Sequence, residues 1–366
     1  MSHPATFHRQ LVLQNSSTNT ENLSNTGANQ KDDLDELLGA ITPPPLKCED
    51  IWFDDGNIIL HVDNTIFRVH KSILVKHSSI WKTMASLPQP GHSDVKTISC
   101  VVLHDNVQDV KKLLMVFYNP LYFMYSLNSF QFLASILRMS TKYDIAHLRA
   151  AASAELRRAY PRRLGDFDDN DFDLKNKLVF QVDQNREDKS TVPASAQTRI
   201  WAERFAIEAV NLARETSLTV ILPCALYYCA RLPIETIVRG TSNARLSPED
   251  VNTCMLGREI LLKKQRELTH PFLYTLPPLR SSGKYPTPCS DGTCVMGGYK
   301  PLLSYILDEM TVTKPIALER FMKWSNIGRC IMCAIPLESA HLRKREVIWE
   351  ELPNIFGLGV WKDLDG

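Results

Sequence analysis

The sequence predicts an α+β fold in which a small sheet with helical hairpins is followed by a mostly α-helical C-terminal region. Three observations carry this prediction. The segments "NIILHV" and "TIFRVH" alternate apolar and polar residues with period two around Asp63-Asn64, the mark of a tight β-hairpin. From Val107 onward the apolar residues return at helical spacing instead. The run "LTVILPCALYYCARL" is almost wholly apolar and reads as a buried helix.

Taken in chain order, residues 1–47 are rich in Asn, Ser, Thr and Gln and end on Pro43-Pro44-Pro45, which predicts a disordered tail. Within it, "DDLDELLGAI" reads as a solvated acidic stretch, with a partner-induced helix as the alternative. A compact unit spans residues 48–165. Its hairpin places Ile58, Leu60 and Val62 on one face of the first strand, and Thr65, Phe67 and Val69 on one face of the second. Two short helices follow in "SILVKHSSIWKTMASL", with Ser78 or Ser79 as the N-cap between them. "VKTISCVVL" is a third strand. Helices then carry Val107, Val110, Leu113, Leu114 and Phe117; Phe130, Leu133, Ile136 and Leu137; and Ile145, Leu148, Ala152 and Leu156, the last closed by Pro161.

Residues 166–195 form an acidic and polar linker, and residues 196–366 an α-helical C-terminal domain with a Cys-rich segment. There, "IWAERFAIEAVNLA" sets Ile200, Trp201, Phe205 and Val210 near one face. Ser247 caps a long helix that carries Pro248 at its first position and Glu249-Asp250 in its first turn.

Composition narrows the function classes. With 44% hydrophobic and 23% charged residues in 366, the chain has ordinary globular usage, and a net charge of +1 leaves no electrostatic footprint for nucleic acid. Without a membrane-length apolar run or a signal pattern, the expectation is an intracellular protein of cytoplasm or nucleus. Nine cysteines then point to thiols or metal ligands rather than disulfides.

The corner "FRVHKSILVKHSSIW", with Phe67, His70, Lys71, Leu74, Ser78 and Trp81, resembles the signature of BTB/POZ domains. "LLMVFYNP" is similar to that family's leucine-rich helix, and "LRMSTKYDIAHLRAAASAEL" to its later helices. The resemblance covers about residues 50–162. More narrowly, "DGNIIL", "FRVHKSIL", "STKYDI" and "WEELPNIFGLGVWKDL" resemble a large group of fungal BTB proteins. This implies a homodimer whose interface includes the helix after His70, and recruitment of other proteins such as a cullin-type ubiquitin-ligase scaffold or a transcriptional complex. No convincing copy of the apolar-x-Glu element of cullin binders is present. Lys71 matches a basic position that lines a charged pocket in some BTB dimers. Where the family has an acidic partner, this chain has Asn57, so a neutral hydrogen bond or a reach by Asp55 is expected instead. His70 reads as a satisfied corner histidine.

Motifs for catalysis are lacking: there is no Gly-x-Ser-x-Gly, His-Glu-x-x-His or phosphate-binding glycine loop, so a non-enzymatic protein is expected. Cys330 and Cys333 have the Cys-x-x-Cys spacing that chelates one zinc ion, and Cys289 and Cys294, more widely spaced than is ideal, would complete a structural site with His341 as a substitute ligand. The competing reading is four reduced thiols. A second function class is a zinc-stabilised regulator binding nucleic acid or chromatin through Arg343, Lys344 and Arg345, although three such charges on an amphipathic helix more often mark a solvated face.

Overall fold

A computed structural model describes residues 44–86, 98–169, 202–271, 314–321 and 331–364, the side chains of 331–333 excepted. A four-stranded sheet has the order β1-β3-β2-β4, formed by Leu46–Trp52, Ile58–Val62, Thr65–Val69 and Ser99–Leu103. The hairpin β2–β3 is antiparallel and in register from Ile58 opposite Val69 to Val62 opposite Thr65. Asp63 takes φ 53° in its turn, a conformation that Asp tolerates through its short polar side chain. β1 and β4 flank the hairpin as parallel edges.

The hairpin is buried on both faces. Leu60, Phe67 and Val69 enter the main core, while Ile59 and Ile66 meet Trp52 and Ile98 on the other side. β1 was outside the elements expected from sequence, and the reason is physical. It buries only Ile51 fully, so it carries no period-two signal, and its place is set by backbone pairing.

Helices α1 (Lys71–His77) and α2 (Ser79–Ser86) follow the hairpin, and α3 (Val107–Tyr118), α4 (Pro120–Ser126), α5 (Phe130–Lys142) and α6 (Ala146–Ala159) follow β4. The expected three-helix run therefore holds four helices. The added α4 starts on Pro120, whose missing N–H costs nothing at a first turn. The expected apolar positions face the core, with Val110, Leu113, Leu114, Phe130, Leu133, Ile136, Leu137, Ile145, Leu148, Ala152 and Leu156 all buried.

The C-terminal part contributes α7 (Ala206–Thr216), α8 (Leu222–Ala230), α9 (Ile234–Arg239), α10 (Pro248–Lys264), a π-helical turn (Gln265–Thr269), α11 (Ile331–Glu350) and α12 (Leu352–Ile355). Every residue of α8 is buried, as its apolar run implied. Ser247 Oγ accepts from Asp250 N–H at 3.1 Å, the cap read from sequence. Gly257 on α10 is required by packing, because the Phe356 ring occupies the space a Cβ would need.

Two boundaries shift, the first being the end of the expected tail of residues 1–47, since Leu46 and Lys47 belong to β1. Residues 164–169 are helical and Phe167 is buried, so folded chain continues past the expected linker start at 166. The helical part is also not a separate body, since one continuous core runs from Ile51 to Leu364. Phe130 of α5 stacks on Phe205 at 5.0 Å, and Tyr160 donates to Ala202 O at 2.8 Å. Trp349 Nε1–H donates to Arg162 O at 2.7 Å. Residues 1–43 of the expected tail, and most of the expected linker, lie outside the described residues.

Candidate functional site

The strand–helix corner gathers the signature residues, each held by an identifiable force. Phe67 is 0% and Leu74 1% exposed, so both are apolar anchors of the corner. His70 ends β3 and begins α1. Its backbone N–H donates to Tyr118 Oη at 2.9 Å, and its Nδ1 lies 3.0 Å from the same hydroxyl. A neutral ring that carries its proton on Nε2 accepts the Tyr118 hydroxyl proton at Nδ1. Nε2–H then faces Asp55 Oδ2 at 3.2 Å. The His70 ring also tilts against Phe53, which stacks on Tyr118 at 4.2 Å.

Asp55 is therefore the partner of His70, not of Lys71. The hydrogen bond from His70 lowers the Asp55 pKa, although its carboxylate stands in solvent. The sequence reads His70 as satisfied without naming its partner, because the hairpin is what brings Asp55 to it. Tyr118, 48 residues away, was equally invisible.

Asn57 Oδ1 accepts from the backbone N–H of Lys71 at 2.8 Å. The expected neutral bond is thus present, but it secures the first turn of α1 rather than the ammonium group. The Lys71 side chain is exposed. Gly56 permits the close approach of the two chains here: a Cβ would sit 3.0 Å from Val69 O and from Phe53 O.

Ser78 anchors the far end of α1. Its Oγ accepts from Trp81 N–H at 3.0 Å, capping α2, and donates to Tyr143 O at 2.6 Å. Trp81 stacks on Tyr143 at 5.5 Å, and Tyr143 donates in turn to Asp105 Oδ2 at 2.6 Å. Burial and that bond both hold the Tyr143 phenol protonated far above its ordinary range. The signature residues thus tie α1 to α3 and α5, and the surface they support is the outer side of α1 with β1 as the sheet edge. On α4, Leu121, Met124 and Tyr125 add an exposed apolar face.

The predicted zinc ligands fall differently. Cys289, Cys294 and Cys330 lie outside the described residues, as does the side chain of Cys333. Among the described residues, no group of three or more His, Cys, Asp or Glu is arranged to hold a metal. His341, the proposed substitute, has other work. Its Nδ1 lies 2.7 Å from Thr269 O and its Nε2 accepts from Phe321 N–H at 3.1 Å, so neither ring nitrogen faces a vacant position.

The basic triplet is also divided. Arg345 is 0% exposed and pairs with both carboxylate oxygens of Asp168, while also donating to Leu318 O. A guanidinium so enclosed cannot contact a phosphate backbone, which leaves Arg343 and Lys344 as the outward charges. The sequence hid this, because Arg345 has the helical spacing of the buried Ile348 and Trp349 but the chemistry of a surface residue.

In comparison with known protein families, residues 53–159 match the family model described as BTB/POZ domain. No curated protein and no solved structure matched the chain.

Proposed function

Residues 53–159 are a BTB/POZ domain, a module that supports protein–protein interaction, and from that premise we propose that the chain is a non-catalytic adaptor. It self-associates through α1 and the β1 edge and recruits a second protein, a ubiquitin-ligase scaffold or a transcriptional complex being the two classes that fit. The observation that carries this reading is the domain itself, with its corner residues bonded internally and the outward face of α1 uncovered among the described residues. The exposed Leu121, Met124 and Tyr125 on α4 support a heterotypic partner in addition.

Light scattering of the full chain at micromolar concentration tests self-association. A mass of twice 41.6 kDa is expected. A monomer that persists across that range overturns self-association and leaves heterotypic recruitment alone.

We further propose that Cys289, Cys294, Cys330 and Cys333 share one structural zinc ion, with His341 removed from the ligand set. The support is the Cys-x-x-Cys spacing of Cys330 and Cys333, with a second, wider pair upstream. Elemental analysis should find one zinc per chain, and its absence from purified protein returns the cysteines to ordinary thiols.

A further inference from the structure

Where α1 ends and α6 begins, two imidazoles meet at the surface. His77 is the last residue of α1 and is half-buried, and its ring stacks on Phe117 of α3 with centroids 4.7 Å apart and planes within 14°. His147, in the first turn of α6, is exposed, and its ring centre lies 5.3 Å from that of His77 with 48° between the planes. Histidines packed elsewhere have ring nitrogens engaged by the protein: His70 by Tyr118 and Asp55, His270 by Thr269, and His341 by Thr269 and Phe321. This pair is different. Among the described residues, no hydrogen bond or ion pair reaches a nitrogen of either ring.

The separation is the one that a shared metal ion requires. A zinc–nitrogen bond of about 2.0–2.1 Å puts the ion about 3.2 Å from each ring centre, and a tetrahedral angle then sets the two centres about 5.2 Å apart. Phe117 fixes the plane of the His77 ring, whereas the exposed His147 ring turns about its Cβ–Cγ bond, a broad torsion, to bring a nitrogen to the common point. The backbone beneath the rings is clamped. Ser78 Oγ donates to Tyr143 O at 2.6 Å, and Ser79 Oγ donates to Asp144 Oδ2 at 2.6 Å. These bonds join the residues just after His77 to the turn just before His147. The fold therefore sets the spacing of the pair, and binding has little left to order.

We propose that His77 and His147 together hold one divalent transition-metal ion of the zinc, nickel and copper class, the ions that neutral imidazole suits. Calcium and magnesium are excluded by ligand type, because they take oxygen donors. No third His, Cys, Asp or Glu joins the pair among the described residues, so the remaining coordination positions go to water. The site shares no residue with the proposed cysteine set and does not depend on it.

The test is calorimetric titration of zinc sulfate into the full chain as purified, so that zinc already resident on cysteines is not counted. His77→Gln and His147→Gln should each weaken the binding of one added equivalent about 100-fold, because the chelate loses its intramolecular second ligand. His104→Gln, at an exposed histidine between β4 and α3, should leave that binding unchanged. Modification with diethyl pyrocarbonate, mapped by mass spectrometry on the wild-type chain, keeps the test valid if the variants fold poorly. One equivalent of zinc should slow modification of His77 and His147 but not of His104. Zinc affinity unchanged in both variants, or slowing at neither or only one of the two histidines, overturns the proposal.

Discussion

Lowering the pH from 7 to 5 should weaken the C-terminal half through His270. This side chain is 1% exposed, with Nδ1 at 2.9 Å from Thr269 Oγ1 and its ring 5.0 Å from that of His341. Burial, then His341 and the enclosed Arg345, push its pKa from 6.5 down to about 3. The folded histidine therefore stays neutral while the unfolded one takes up a proton below its ordinary pKa. Stability is fully present above pH 6.5 and falls from there until the folded group titrates near 3. Between pH 7 and 5 that linkage amounts to about 2 kcal/mol. His341 acts in the same direction, since burial also lowers its pKa. Its protonation would set an N–H against the Phe321 N–H that its Nε2 now accepts. Among the described residues, the groups facing this pair include Arg345 and Glu338 of α11, Glu319 of the 314–321 segment and Thr269 of the π-helical turn. Urea unfolding at both pH values, for the wild type and for His270→Gln, isolates the effect, because the carboxylates are common to both. The wild type should lose about 2 kcal/mol more than the variant on acidification. Equal losses would show that the histidine is hydrated or already charged in the folded protein, and would refute the reasoning.

Other perturbations have outcomes set by the same contacts. Phe67→Ala and Leu74→Ala should each cost roughly 2–5 kcal/mol in chemical denaturation, since both fill the corner core completely. A melt unchanged by Phe67→Ala would remove the corner from the core. Asp168→Ala should cost about 3 kcal/mol by leaving Arg345 buried without its carboxylate, whereas Asp168→Ala combined with Arg345→Met should recover much of the loss. No recovery in the double variant would mean that the pair is not coupled. Asn57→Ala removes the bond to the Lys71 N–H and should cost about 1 kcal/mol, seen as faster hydrogen exchange at the start of α1.

Much of the BTB unit could be read from sequence because its signals are local. The hairpin shows as alternation around Asp63-Asn64, and α5 and α6 as apolar positions three and four apart. What escaped was set by tertiary pairing. β1 buries one side chain fully and pairs through backbone, so no pattern announced it. The Asp55–His70–Tyr118 chain joins three separate elements that no spacing rule connects. Arg345 was misread for a related reason: its neutral-looking surroundings form only when residues 164–169 and 314–321 close over α11.

That closure bears on how the protein can be divided. A domain cut at 165, where sequence places the end of the unit, would strip the α5–α6 surface of its cover. Phe130 would lose Phe205, the Tyr160 hydroxyl its acceptor at Ala202 and Arg138 its partner Glu215 at 2.8 Å. Phe167 and Asp168 would be removed with everything that packs on them. The exposed remainder would include the buried ring of Phe130 and its apolar neighbours, a surface that favours aggregation. The interaction module and the helices after it therefore share one core, in which α3 packs on α5 and α5 on α7. Under the proposed function, a partner bound by the helical part would be held in a fixed orientation to the α1 face. A flexible linker between independent domains would give only proximity.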